Sequence, residues 1–184
     1  MAVVAEEQLY KVIKQYLDDQ YHALRRPSSG NDLWRSQITP RVDIGLSGKW
    51  TRPDLAAVHV WRHRFSPTFT LDLHGFEVKR ADNGNEISLF EALAHTRIVH
   101  YAHVVWHVPE PKHSAVKISS LRSNCERFGV GLITLQDHND PMSFDVLVSP
   151  GKRADPDPAL IDQFIASGFK QHLEVIDSWM PRGP

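Results

Sequence analysis

Glu77 and Lys79 stand two residues apart in the segment HGFEVKR. If that segment is a strand, both side chains leave one face while Val78 leaves the other. A carboxylate and an ammonium held side by side at a sheet are costly to bury unless something uses them. Asp54 opens the preceding apolar segment, directly after Pro53. If the two segments pair, Asp54 comes beside Glu77, and two close carboxylates repel unless a hard divalent cation resolves the repulsion. Mg²⁺ suits such a place because it takes one or two carboxylates and keeps several waters; Mn²⁺ is the alternative. The chemistry this would serve is hydrolysis of a phosphodiester. A bound metal polarises the phosphoryl oxygen, neutralises developing charge and lowers the pKa of its water. Lys79 would position that water and stabilise the charged transition state. A neighbouring cation would also push its pKa down, toward general-base work.

These residues need elements to hold them. AEEQLYKVIKQYLDDQYHAL spaces Leu9, Val12, Ile13, Tyr16 and Leu17 as one helical face and ends before the RRPSSGND loop. RVDIGLS, DLAAVHVWRH and FTLDLHGFEVKR read as three strands of an antiparallel meander. After the ADNGN turn, a helix is predicted with Ile87, Phe90, Ala94, Ile98 and Tyr101 on its apolar face, followed by the buried strand HVVWHV. SAVKISSLRSNCERF is a crossover helix ending at Gly129 and containing Cys125, GVGLITLQ and FDVLVSP are two further strands, and ALIDQFIASGFKQHLEVIDSWM is one long closing helix. In that helix Ile161, Phe164, Ile165, Phe169, Leu173 and Ile176 face inward. The order α-β-β-β-α-β, then α-β-β-α, implies a single α/β (α+β) domain over residues 1–184, with a mixed sheet covered by helices.

RPDLAAV followed by HGFEVKR resembles the PD-(D/E)xK nuclease superfamily, in both the motif and its surrounding elements. The resemblance implies a restriction-endonuclease-like α-β-β-β-α-β core over about residues 5–108, with residues 109–184 as a C-terminal extension. It implies Asp54 and Glu77 as metal ligands, Lys79 as the catalytic lysine, and the Val78 carbonyl as a further ligand. Members often add an acid from the first helix, which here would be Glu6, with Glu7 as the alternative. The function implied is a Mg²⁺-dependent endonuclease, acting on DNA. The alternatives are a weak or inactive nucleic-acid-binding or assembly subunit of the same fold, and a nuclease acting on RNA. The chain also contains Pro156-Asp157 and Glu110-Pro111-Lys112, but these copies fall in the wrong order, one in a linker and one broken by proline.

Other candidates rank lower. Glu91 and His95 form an i, i+4 pair on the helix after the motif and read as exposed rather than functional. His59, His63 and His74 could line the basic surface, and His100, His103 and His107 straddle an element boundary and lack a second ligand cluster; most of the histidines read as scattered packing or surface residues. Trp50 and Trp61 flank the motif strand and could stack on bases; Trp106 reads as core. The net charge of −1 gives no global signal for nucleic acid, which favours the assembly-subunit alternative. Between residues 25 and 80, however, ten Lys or Arg face five acids, so a local basic surface is expected. A lone cysteine excludes an internal disulfide and a multi-cysteine zinc site. No apolar run approaches a membrane span, and MAVVAEEQ lacks signal-peptide character, so a cytoplasmic protein is expected. Double-strand cleavage would call for a homodimer or a partner subunit.

Overall fold

A computed structural model of the chain describes residues 4–25, 31–39, 52–65 and 68–180. Six strands form one sheet in chain order: β1 (Asp32–Ile38), β2 (Leu55–Arg62), β3 (Phe69–Lys79), β4 (Tyr101–His107), β5 (Gly131–Leu135) and β6 (Phe144–Val148). β1, β2 and β3 pair antiparallel, β3, β4 and β5 run parallel, and β6 returns antiparallel to β5. The parallel joins need crossovers, which α3 (Glu86–Ala94) and α4 (Ala115–Phe128) supply. Two core layers result. On one face Leu55, Ala57, Phe76, Val78, Val105 and Ile133 pack under α1 (Glu6–Tyr16) and the π turn that continues it, with the short α2 (His22–Arg25) following. On the other, Ala56, Val58, Leu73, Val104 and Leu132 meet α3, α4, α5 (Pro158–Gly168) and α6 (Leu173–Trp179).

The first helix buries Leu9, Val12, Ile13 and Tyr16 at helical spacing. A π turn over Leu17–Tyr21 then widens the helix, so that Leu17 and Tyr21 are both buried before α2 begins. α4 ends where Gly129 takes φ +65, with the Val130 N–H closing onto the Cys125 carbonyl. Cys125 is buried on that helix, and burial pushes its thiol up to about 12, so it is a packing residue. Asp157 caps α5 by accepting the Ala159 N–H at 2.9 Å, ahead of Pro158 in the first turn. Among the described residues no helix is long and apolar enough to cross a membrane.

Three expectations are corrected. RVDIGLS lies outside the described residues, and the strand that pairs with β2 is DLWRSQI instead. Its adjacent Leu33 and Trp34, followed by Arg35, Ser36 and Gln37, hide the alternation of a half-buried edge strand. The helix after the motif stops at Ala94 and is rotated: Ile87 and Phe90 are more than half exposed, and Ser88, Leu89 and Ala92 face inward. Its start is capped. Asn85 Oδ1 accepts the Ile87 N–H at 2.9 Å, and Ser88 reaches back to the Asn83 carbonyl. The closing helix is two helices, broken after Gly168 by a 3₁₀ turn over Lys170–His172. Phe164, Phe169 and Ile176 are nevertheless fully inside, as the apolar pattern requires.

Candidate functional site at the ends of the central strands

The antiparallel register of β2 and β3 pairs Leu55 with Phe76, so Asp54 and Glu77 stand one step further along, side by side at the sheet end. The Asp54 N–H reaches the Phe76 carbonyl at 3.0 Å and fixes the approach of the chain. Its carboxylate is held twice. Oδ2 accepts the Val78 N–H at 2.8 Å, and Oδ1 accepts the Tyr10 hydroxyl of α1 at 2.9 Å. Neither donor carries a charge. Burial therefore dominates and raises the Asp54 pKa, with Glu6 adding like charge while the Val78 N–H, Tyr10 and Lys79 oppose the rise.

Glu77 and Lys79 leave the same side of β3, and Lys79 Nζ lies 2.7 Å from Glu77 Oε1. Glu91 of α3 approaches the same ammonium at 2.5 Å. His95, in the 3₁₀ turn His95–Arg97 that ends this helix, places Nε2 3.4 Å from Glu77 Oε2, long for a hydrogen bond. The expectation that Glu91 and His95 are exposed is thus corrected. Glu91 is largely covered and His95 fully buried, because the rotation that exposes Ile87 and Phe90 turns this pair toward β3. Burial, and then the charge of Asp54, pushes Glu77 up to about 8, against the downward pull of Lys79. Burial works to lower the Lys79 pKa, but Glu77 and Glu91 outweigh it and hold the group firmly as an ammonium. Burial and then Lys79 hold His95 down to about 3, so its ring is neutral.

The site opens beside Lys79 and Glu91 into a cleft of about 210 Å³, also lined by Asn83, Asn85, Ile87 and Ser88. The loop on this side lies close against the core: a Cβ on Gly84 would meet Trp106 Cε2 at 1.9 Å. Because β3, β4 and β5 are parallel, the site sits beyond carboxyl ends of strands, the usual place for chemistry on such sheets. Glu6 is half-buried in the first turn of α1, near enough to press on both Asp54 and Tyr10, while Glu7 is exposed. Tyr10 escaped the sequence reading, since a tyrosine inside an apolar helical face looks like core. Its position four residues after Glu6 was the available signal.

The expected basic surface is dispersed. Arg52 and Arg80 flank the site, whereas Arg62 sits at the other end of β2 and donates to the Ser178 carbonyl at 2.9 Å. Arg35 donates to the Trp34 carbonyl, and Arg26, Arg41 and Lys49 lie outside the described residues. His59 and His74 do not line a surface; both are buried, as are His103 and His107, while His63 is exposed. Trp106 is core, Trp61 is partly covered, and Trp50 lies outside the described residues.

Two buried carboxylates, both raised by burial and Glu77 also by the charge of Asp54, stand at one sheet end with uncharged donors fixing Asp54. Compared with known protein families, with curated proteins and with solved structures, the chain matches none.

Proposed function

We propose that the chain is a divalent-metal-dependent nuclease, hydrolysing phosphodiester bonds of DNA at a PD-(D/E)xK site. The observation that carries this reading is the convergence of Asp54 and Glu77 at one sheet end, with Lys79 held against Glu77. Asp54, Glu77 and the Val78 carbonyl would hold Mg²⁺ or Mn²⁺, with Glu6 near enough to contribute through a water. When bound, the metal supplies charge neutralisation at the phosphoryl oxygen and a water of lowered pKa.

This chain's residues set the rest. Tyr10 and the Val78 N–H fix the Asp54 carboxylate in one orientation, so little reorganisation is left for the moment of reaction. Lys79 stays protonated between Glu77 and Glu91, which fits it to orient the attacking water and stabilise charge on the phosphoryl group. That is a narrower role than the general-base work considered from sequence. Glu91 keeps Lys79 in place when Glu77 turns to a cation. His95, neutral and buried, closes the floor behind Glu77. The near-neutral net charge leaves much of the phosphate neutralisation to the site itself and to any second copy needed for double-strand cutting.

The test is cleavage of labelled linear, supercoiled and single-stranded DNA, and of RNA, with Mg²⁺, Mn²⁺ or EDTA. The expected result is metal-dependent cutting of DNA that Asp54→Asn and Lys79→Ala both lose. Cutting of RNA alone would move the substrate assignment. Cutting that survives both substitutions would place the chemistry elsewhere, and DNA binding without cutting by any form would favour an assembly subunit.

A further inference from the structure

A second polar cluster lies at the other end of β2. Asp32 opens β1 opposite Trp61, and Trp34 pairs with His59. His59 and the Asp54 carboxylate are five residues apart along the strand direction, or about 17 Å at roughly 3.4 Å per residue. Here two imidazoles meet one carboxylate oxygen. His22 Nε2, from α2, lies 2.6 Å from Asp32 Oδ2, and His59 Nε2, from β2, lies 3.0 Å from the same atom. The three ligand atoms are within 4.8 Å of one another. The Asp32 side chain has no exposed surface and that of His59 is 2% exposed, whereas His22 retains 22%.

We infer that His22, Asp32 and His59 form a binding site for a borderline divalent transition ion, Zn²⁺ being the reference case. Three observations converge on it. The donor set, two imidazole nitrogens and one carboxylate, selects this class of ion over Mg²⁺ or Ca²⁺, which prefer oxygen. The spacing needs little adjustment, because tetrahedral ligands at about 2.0–2.1 Å from zinc stand about 3.3 Å apart. The two nitrogen–oxygen separations, 2.6 and 3.0 Å, therefore open by less than about 1 Å, and the two nitrogens, within 4.8 Å of each other, close by no more than about 1.5 Å. The rings are also pre-positioned, as a zinc site requires of its surroundings. Trp34 stacks on His22 with centroids 5.3 Å apart and 13° between planes, and packs edge-on to His59 at 5.4 Å.

The fourth coordination position would open to a cavity of about 610 Å³ that His22, Asp32 and Trp34 border, with Lys14, Asp18, Ser36 and His172 along the same wall. The indole N–H of Trp34 is buried and has no hydrogen-bond partner among the described residues. The ion would tie three separate pieces of chain together: the end of the first helical segment, the edge strand β1 and the neighbouring β2. A strand at the end of the sheet gains most from such a clamp, since among the described residues β1 pairs on one side only.

The experiment is Zn²⁺ and Co²⁺ titration of the metal-stripped full-length protein, followed by calorimetry, by visible Co²⁺ absorption and by the thermal midpoint. Expected is one site per chain that excess Mg²⁺ does not displace, with a Co²⁺ spectrum showing nitrogen ligation in a low-symmetry field. His22→Gln and Asp32→Asn should each weaken Zn²⁺ by at least about tenfold, no less than the loss of an outer-shell partner costs. Asp54→Asn should leave Zn²⁺ affinity unchanged, which separates this site from the one at the other end of the sheet. His22 is the partly exposed ligand, so its variant keeps the test meaningful if Asp32→Asn does not fold. Stoichiometric binding unaltered in a folded His22→Gln protein, or no binding by the wild type, would overturn the inference and leave a hydrogen-bonded His-Asp-His cluster.

Discussion

Asp54 and Asp32 stand at opposite ends of the same antiparallel ribbon, each a buried carboxylate side chain that accepts from different elements, Asp54 from Tyr10 and Val78, Asp32 from His22 and His59 among others. Their surroundings push them in opposite directions. Around Asp54 the donors are a phenol and an amide and the neighbours are further carboxylates, so burial prevails and its pKa rises. Around Asp32 burial also works upward, but hydrogen bonds and charge from His22 and His59 outweigh it, and the pKa falls. What differs is whether the partners can carry positive charge. One end of the sheet accumulates negative charge on oxygen and suits a hard cation. The other has its charge matched by nitrogen bases and suits a softer one.

The sharpest way to break this contrast is to exchange metals and variants. Lys79→Ala should lower Mg²⁺-dependent cleavage by about 10²–10³-fold, the scale on which a group stabilising transition-state charge is felt. The same substitution should leave the Zn²⁺ affinity of the histidine cluster where it was. Single-turnover cleavage and zinc calorimetry on one preparation decide both points. Equal sensitivity of both readouts to Lys79→Ala would mean that the two ends are one coupled unit.

The next largest effect is on stability against pH. Glu77 titrates near 8 in the folded chain against 4.5 when exposed, so the native state holds a proton that the unfolded state has already lost. That contribution is complete below about 4.5 and is lost as pH rises toward 8, on the order of a few kcal/mol after allowance for its coupling to Asp54 and Lys79. His95 has the opposite sign. Held down to about 3 from 6.5, it favours the native state above pH 6.5 and loses that contribution as pH falls toward 3. Urea unfolding at pH 6.5, 7.2 and 8, above the range where the buried histidines contribute a slope, should show the metal-free wild type weakening toward pH 8. Glu77→Gln should flatten that trend, and Mg²⁺ should reverse it. The same slope in Glu77→Gln as in the wild type between pH 6.5 and 8 would contradict the assignment of Glu77; below pH 6.5 the buried neutral histidines His95, His103 and His74 add stability as pH rises and oppose it.

The two ends also differ in how far the amino-acid sequence discloses them. Asp54, Glu77 and Lys79 sit on consecutive strands that pair directly, so strand alternation and one hairpin register suffice to bring them together. His22, Asp32 and His59 come from a helix, an edge strand and a central strand. No periodicity links them, and the cluster emerges only once β1 is placed on β2. That strand was itself the least legible element, because DLWRSQI does not alternate cleanly, and the more regular RVDIGLS drew the assignment instead. The element order and the parallel crossovers through α3 and α4 followed from longer patterns and match the sheet. The rotation of α3 did not follow. Ile87 and Phe90 offered an apolar stripe as good as Leu89 and Ala92, but it is the second that packs inward against β3 and β4, bringing Glu91 and His95 into the site.

That rotation can be disturbed locally. Gly84→Ala places a methyl against the Trp106 ring and must move either the indole or the loop that leads into α3. A cost of about 1–3 kcal/mol is expected, typical of overpacking a filled core. Because the loop carries Asn83 and Asn85 to the cleft, cleavage should fall along with the thermal midpoint. Zinc binding at the far end should not follow. A variant with the wild-type midpoint would show that the loop yields freely and does not set the orientation of α3.

Tyr10→Phe probes the finest part of the contrast, the uncharged donor on Asp54. Removing the hydroxyl deletes one of two hydrogen bonds to a buried carboxylate and leaves the ring in place. Asp54 Oδ1 then loses its orientation, and Mg²⁺ affinity should drop by about 10–100-fold, as for other residues that steady a metal ligand. Without metal the substitution acts the other way on protons: with one donor gone, the Asp54 pKa should rise further, because Tyr10 is among the groups that lower it. Mg²⁺ titration at pH 6 and pH 8 separates these effects. A pure orientation loss shifts both curves equally, whereas a protonation effect widens the deficit at pH 6. An affinity equal to wild type at both values would show that the Val78 N–H alone is enough to hold Asp54, and Tyr10 would then be one more packing residue of α1.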